Sequence, residues 1–145
     1  MTTRDAYAMV LLVLANSLAS AAPSPPLDAS LDKAMFGAWC SSEDGGKTCW
    51  GYDQFDSGIV RSCGRFSNSE VDFFVRSRYI INGTKVCYTI AQSTLPEILK
   101  IGQRFCEDVL QIDFRTRRVR DLESNEESVS YRTNEKTVKC AQDGK

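Results

Sequence analysis

The sequence lacks histidine entirely among its 145 residues. Histidine is the base of Ser-His and Cys-His nucleophile pairs and a common zinc ligand, so its absence excludes those sites. The formal net charge is −1, which gives no cationic field for holding a phosphate backbone, so we expect no nucleic-acid partner. We therefore predict that the protein is not an enzyme and needs no cofactor or metal.

Long apolar runs are also missing. The longest, over residues 6–15, is about half of the ~20 residues that a membrane-spanning helix needs. Small residues follow it, and Ala19-Ser20-Ala21 fits a signal peptidase site. We predict a signal peptide over residues 1–21, a secreted protein (extracellular or periplasmic) and no membrane span after cleavage. An uncleaved anchor is the alternative.

The segment after the predicted cleavage site is rich in proline. Pro23, Pro25 and Pro26 fix the backbone and lack N–H donors, which favours an extended, exposed chain. We predict a Pro-rich flexible leader over residues 22–35, followed by a single domain over residues 36–143. The alternative is an arm that docks on a partner or plugs the mouth of its own domain.

Six cysteines lie in the predicted mature domain, and their even number after an export signal predicts three disulfides. No Cys-x-x-Cys pair exists, which argues against zinc and redox motifs. Spacing leaves 15 possible pairings. We expect Cys49–Cys63 across a hairpin, Cys87–Cys106 across a loop, and Cys40–Cys140 between the chain ends.

Apolar and polar residues alternate with a period of two along much of the domain, which is typical of half-buried strands. Gly58 and Asn82-Gly83 mark turns between strands. The predicted strands cover residues 48–55, 59–66, 71–81, 85–90, 109–122 and 129–136, and the one predicted short helix covers residues 95–101. The pattern predicts an all-β fold, a small antiparallel meander β-barrel of seven or eight strands, with a β-sandwich as the alternative.

Two groups of side chains bear on the interior and the loops. Aromatic residues are frequent, and we expect them to fill the barrel interior; a ligand pocket lined by them is the alternative. The acidic residues Glu43, Asp44, Asp53 and Asp56 are expected to be surface loop acids, because their spacing fits no calcium loop.

Gly37-Ala38-Trp39 opens the first strand, and Arg132 lies in the last. This combination resembles the calycin pattern of lipocalins and similar small barrels, in which a Gly-x-Trp begins the first strand. The resemblance implies a calycin-like barrel in which Arg132 packs over the Trp39 indole and closes one end. A guanidinium over an indole face is worth about 0.5–2 kcal/mol.

Arginines are concentrated in two strands. Those at 115, 117, 118 and 120 either form an anion-binding patch or keep a solvated strand edge from aggregating. Phe74, Arg76 and Arg78 are two residues apart and therefore share the predicted solvent-exposed face of another strand. We predict a candidate partner surface made of Phe74, Arg76, Arg78, Arg115 and Arg117.

Asn82-Gly83-Thr84 is the one glycosylation sequon, so Asn82 is a possible glycosylation site.

These features together predict a secreted binding protein that engages a protein partner through its surface, in the manner of a protease inhibitor or a host-interacting protein. The alternative is a carrier of a small apolar ligand in the barrel interior.

Overall fold

Eight antiparallel strands form a closed barrel in which every strand pairs with its sequence neighbours and the first pairs with the last. The computed structural model describes residues 27–65, 72–138 and 140. Its elements, in chain order, are α1 (Leu27–Met35), β1 (Gly37–Ser41), β2 (Gly51–Asp56), β3 (Ile59–Arg65), β4 (Asp72–Asn82), β5 (Lys85–Ser93), β6 (Arg104–Ile112), β7 (Thr116–Asp121), β8 (Glu127–Thr133) and a 3-10 turn (Glu135–Thr137). The predicted all-β meander barrel is therefore confirmed, and the sandwich is excluded.

Strand β4 shows how the alternating pattern produces the barrel wall. Val75, Ser77 and Tyr79 are buried, whereas Arg78 and Ile80 between and beyond them are exposed. This is the period of two that the sequence predicts. The turn before β3 also follows the prediction, since Gly58 has a positive φ of 79° that a side chain would disfavour.

Helix α1 closes one end of the barrel. Leu31 and Met35 lie one turn apart on one helix face and are both buried in the core cluster. The indole N–H of Trp39 donates to the Met35 carbonyl at 2.7 Å, and the Tyr79 hydroxyl donates to Asp32 at 2.6 Å. The prediction of a flexible leader is therefore wrong for Leu27–Met35, because this apolar helix face completes the core. The predicted signal peptide (1–21) and the residues 22–26 lie outside the described residues.

Two secondary-structure predictions are wrong. Residues 95–101 form turns and no helix; the amide of Leu99 bonds the Leu95 carbonyl, but the pattern does not propagate. The predicted strand over residues 109–122 is two strands, β6 and β7. The Asp113 carboxylate accepts bonds from the amides of Arg115 and Thr116, which reverses the chain there. No helix in the described ranges is long and apolar enough to cross a bilayer.

The three predicted disulfides are present, but only one predicted pairing is confirmed. Cys87–Cys106 joins directly opposed residues of β5 and β6. The other bridges are Cys40–Cys49 and Cys63–Cys140, so the pairings Cys49–Cys63 and Cys40–Cys140 are wrong.

The strand register explains the error. Cys63 lies opposite Tyr52, and Cys49 precedes β2 in the loop that returns towards Cys40. Cys63 therefore pairs with Cys140, which lies in the segment that follows β8.

Candidate ligand site

Arg117 is inside the barrel, with 5% of its surface exposed. Its prediction as a partner-surface residue is therefore wrong. Side chains alternate along β7, so Arg117 shares the inward face with the buried Val119, and Arg118 between them is exposed. The apolar Val119 two residues along was the sequence signal for this orientation, and the surrounding run of arginines obscured it.

Three strands supply oxygen atoms to the Arg117 guanidinium. Its Nη2 lies 3.3 Å from Asp53 Oδ2, and its Nε donates to Ser130 Oγ at 3.2 Å. Its Nη1 lies 3.8 Å from Glu107 Oε1, an ion-pair distance too long for a hydrogen bond. We call Arg117, Asp53, Glu107 and Tyr88 the polar cluster. Asp53 was expected to be a loop acid, but it faces inwards from β2.

Outer contacts fix the members of the polar cluster. Asp53 accepts a hydrogen bond from Ser62 Oγ at 2.6 Å, and the Tyr88 hydroxyl donates to Glu107 Oε1 at 2.5 Å. The Arg117 guanidinium carbon lies 4.8 Å from the centre of the Phe55 ring, a cation–π distance. The cluster is thus positioned by strands and packed rings, which hold side chains more rigidly than loops do.

One nitrogen of the polar cluster has no hydrogen-bond partner. Arg117 Nη1 is buried and donates no hydrogen bond to any group in the described ranges. Buried polar groups in proteins are nearly always paired, and an orphaned charged donor costs more than a neutral one. The site therefore has unused hydrogen-bonding capacity on a buried cation.

The electrostatics of the polar cluster define its charge state. Burial raises the pKa of Glu107, and this effect exceeds the opposing influence of Arg117 and of the Tyr88 hydrogen bond. Burial and the Glu107 charge raise the pKa of Tyr88 well above its usual value, so the phenol is neutral. Burial lowers the pKa of Arg117, but Glu107, Tyr88 and Asp53 together raise it further, so the guanidinium stays charged.

Two cavities adjoin the polar cluster, and Arg117, Asp53 and Glu107 line both. The inner cavity has a volume of about 60 Å³ and is also lined by Phe55 and Tyr88. The outer cavity has a volume of about 470 Å³, within the range of small-molecule sites. As expected, aromatic side chains fill the core, where Trp39, Phe55, Tyr79 and Tyr88 are buried, and the inner cavity adjoins Phe55 and Tyr88.

The outer cavity reaches solvent at the end opposite α1, which we call the open end. Pairing between β1 and β8 stops at Ser41 and Ser130, but β8 extends to Glu127 with β7 as its partner. The resulting gap is lined by Ser41, Glu43, Trp50 and Ser128. Asp44 orders the adjacent loop, because its carboxylate accepts hydrogen bonds from the Ser42 hydroxyl and the Thr48 amide. These bonds also lower the pKa of Asp44 to about 2.

The structure brings Trp39 and Arg132 together at the α1 end. The guanidinium carbon of Arg132 lies 4.1 Å from the centre of the Trp39 ring. Its Nη1 and Nη2 donate to the carbonyls of Phe36 and Ala34, each at 2.6 Å, which fastens the end of α1 to β8. Gly37 is required here, because a Cβ would lie 2.9 Å from Arg132 Nη1 and its φ is +106°.

The predicted partner surface is not one surface. Phe74, Arg76 and Arg78 lie on β4, where Arg76 is opposite Arg61 of β3. Arg115 lies in the β6–β7 turn, separated from β4 by two intervening strands, with its guanidinium 5.1 Å from the centre of the Phe114 ring. Asn82 is exposed at the end of β4, and its glycosylation stays a prediction.

No protein-family model and no curated protein sequence matches the chain. Solved structures do resemble it. A lipocalin-like protein from Bacteroides uniformis has 10% sequence identity and a TM-score of 0.50, covering 69% of this chain and 99% of that one. An uncharacterized protein from Bacteroides eggerthii has 11% identity and a TM-score of 0.50, with coverages of 68% and 99%. The fold is lipocalin-like, as the Gly-x-Trp and Arg132 resemblance predicts.

Proposed function

We propose that this protein binds a small ligand in the cavity at the open end of its barrel and that Arg117 anchors the ligand. The observation that carries this proposal is Arg117 itself, a buried side chain in the wall of a 470 Å³ cavity whose Nη1 makes no hydrogen bond. The predicted alternative was a carrier of a small apolar ligand, and the proposal modifies the kind of ligand. The walls hold three charged side chains of the polar cluster, so the ligand combines an apolar part with a polar group.

A purely structural role does not explain well why Arg117 is buried, because burying its charge costs folding free energy. Burying an ion pair seldom stabilises a fold more than well-packed apolar residues of similar volume. The ring contact with Phe55 and the two flanking carboxylates hold the guanidinium in place, yet they leave Nη1 without a hydrogen bond. A ligand oxygen supplies the missing acceptor.

Prodan, a neutral naphthyl ketone whose fluorescence increases in apolar sites, tests this proposal. We expect saturable binding to the wild-type protein and loss of most of it in Arg117→Met. Arg118→Met is the matched control, because Arg118 is the exposed neighbour on the same strand. Arg117→Lys preserves the charge for the case in which the methionine variant does not fold. Absence of saturable binding to the wild type would contradict the proposal.

We also propose that the protein acts without catalysis. The sequence has no histidine, and the two inward-facing carboxylates, Asp53 and Glu107, are already engaged by Arg117. A screen of ester, peptide and glycoside substrates tests this. Turnover that Glu107→Gln abolishes would refute it.

Secretion is part of the same proposal. The apolar run before Ala19-Ser20-Ala21 supports a cleaved signal, and three disulfides are compatible with an oxidising compartment. Expression of the full chain in a secreting host followed by N-terminal sequencing tests it. We expect a mature start at Ala22, and retention of residues 1–21 on the secreted or membrane-bound protein would contradict it.

A second candidate function is binding of an acidic protein partner on the outer face of the barrel. Arg61 and Arg76 are directly opposed on β3 and β4, and Arg78 is two residues along on the same face. No ion pair to any of the three occurs within the described ranges. Opposed like charges are destabilising, so this outer patch favours an anionic partner.

A fluorescent oligoglutamate peptide tests the outer patch. We expect salt-sensitive binding that is lost in the double variant Arg61→Glu/Arg76→Glu and retained in Arg118→Glu. Equal loss in both variants would show a general charge effect and contradict a specific patch. Binding of heparin but not of the peptide would also contradict a protein partner. The protease-inhibitor version of this idea requires inhibition in a protease panel that the double variant abolishes.

A further inference from the structure

We propose that the ligand presents to Arg117 a neutral group that both accepts and donates hydrogen bonds, such as a primary amide or a hydroxyl, and not a carboxylate or an ammonium. This inference rests on the proposed ligand function and specifies the chemistry of the same site. It follows from the charges and the hydrogen-bonding capacity of the polar cluster.

The guanidinium charge is already compensated where the ligand arrives. Asp53 Oδ2 lies 3.3 Å from one Arg117 nitrogen and Glu107 Oε1 lies 3.8 Å from the other. A carboxylate ligand would bring another negative charge beside these two acids, and like charges in a desolvated site repel strongly. What Arg117 has left is a hydrogen-bond donor, not an unbalanced charge.

An ammonium group fails for the complementary reason. It has no acceptor for Arg117 Nη1, and it would place a cation against a buried guanidinium. The acids nearer the open end are Glu43 and Glu127, and Glu127 is already bonded to Arg120 at 2.7 Å. The outer acids therefore do not direct a cation into the inner half of the cavity.

A primary amide matches both sides of the polar cluster. Its carbonyl oxygen can accept from Nη1, and its N–H groups can donate to the carboxylates of Asp53 and Glu107. A hydroxyl offers the same pair of functions with one oxygen. A neutral head also avoids the cost of transferring a charge from water into the barrel.

Four probes with the same eight-carbon tail test the inference: octanamide, methyl octanoate, octanoate and octylamine. Each is titrated against prodan bound to the wild-type protein near neutral pH. We expect octanamide to displace prodan at concentrations at least about tenfold below those needed for octanoate or octylamine, with the ester in between. Displacement by octanoate or octylamine at equal or lower concentration than octanamide would overturn the inference and leave the ligand function standing.

The other outcomes are also distinguishable. If prodan binds and none of the four probes displaces it, the head-group inference is overturned. If prodan itself shows no saturable binding, the proposed function fails and the inference fails with it.

A variant adds an independent readout. Glu107→Gln removes one of the two negative charges, so the affinity for octanoate should rise several-fold relative to that for octanamide. The matched control is Glu126→Gln in the exposed β7–β8 loop, which should leave all four probes unchanged. An unchanged preference in Glu107→Gln would contradict the electrostatic basis of the inference.

Discussion

The three disulfides should contribute unequally to stability, in an order set by the chain length that each one closes. The sequence separations are 77 residues for Cys63–Cys140, 19 for Cys87–Cys106 and 9 for Cys40–Cys49. The chain-entropy relation then gives losses in the free energy of unfolding of about 4.5, 3.2 and 2.6 kcal/mol when each bridge is removed.

Side-chain packing changes these stability losses, but it does not reverse the order of the largest and the smallest loss. Cys40 is fully buried, so alanine there also removes a packed sulfur atom, at a cost of about 1 kcal/mol. The gap between the longest and the shortest loop is larger than this. We expect the pair Cys63→Ala/Cys140→Ala to be the least stable of the three double variants.

Guanidinium chloride unfolding of the oxidised wild type and the three double variants measures the order. Peptide mapping under non-reducing conditions gives the pairing in the same samples. The predicted order is refuted if Cys40→Ala/Cys49→Ala loses the most stability, and the pairing is refuted if mapping finds Cys49 joined to Cys63. The latter would place Cys49 opposite β3 and contradict the register of the β2–β3 hairpin.

Three further predictions concern single side chains. Arg132→Met should lower the free energy of unfolding by about 2–3 kcal/mol, because it removes the cation–π contact with Trp39 and two bonds to carbonyls; an effect no larger than that of Arg118→Met in chemical denaturation would contradict this. Burial raises the pKa of Glu107 above its usual 4.5, so the folded state binds this proton more tightly than the unfolded state does. Its stabilising contribution is complete below pH 4.5 and is lost as pH rises through the folded pKa. Wild type should therefore lose stability relative to Glu107→Gln as the pH rises over this window, and a pH-independent difference would count against the buried acid. Burial and the hydrogen bond to Asp32 raise the pKa of Tyr79 to about 12, so its contribution is complete below pH 10 and lost towards pH 12. Subtracting the tyrosinate absorbance titration of Tyr79→Phe from that of the wild type should isolate this group, and a value near 10 would contradict the contact.

The architecture was predictable from the sequence because it rests on short-range signals. The alternation in β4, the turn at Gly58 and the Gly-x-Trp opening each act locally and agree with one another. The helix over residues 27–35 was not predicted, because Leu31 and Met35 are buried, and so stabilise a helix, only once the barrel is complete.

The candidate site depends on contacts that are distant in sequence. Arg117 meets Asp53 across 64 residues, and nothing in either local pattern marks the pair. The run of arginines around Arg117 is typical of an exposed strand, and only the phase set by Val119 turns this one inwards. Two of the predicted disulfide pairings were wrong for a similar reason, because the pairing depends on how β1 and β3 are placed in the closed sheet.

A crystal structure of the mature protein grown with octanamide tests the proposed ligand site most directly. We expect the amide head in the barrel, with its oxygen within hydrogen-bond distance of Arg117 Nη1 and its tail directed towards the open end. A side chain filling the cavity, or an amide bound only on the outer surface while Arg117 Nη1 bonds a protein oxygen, would contradict it.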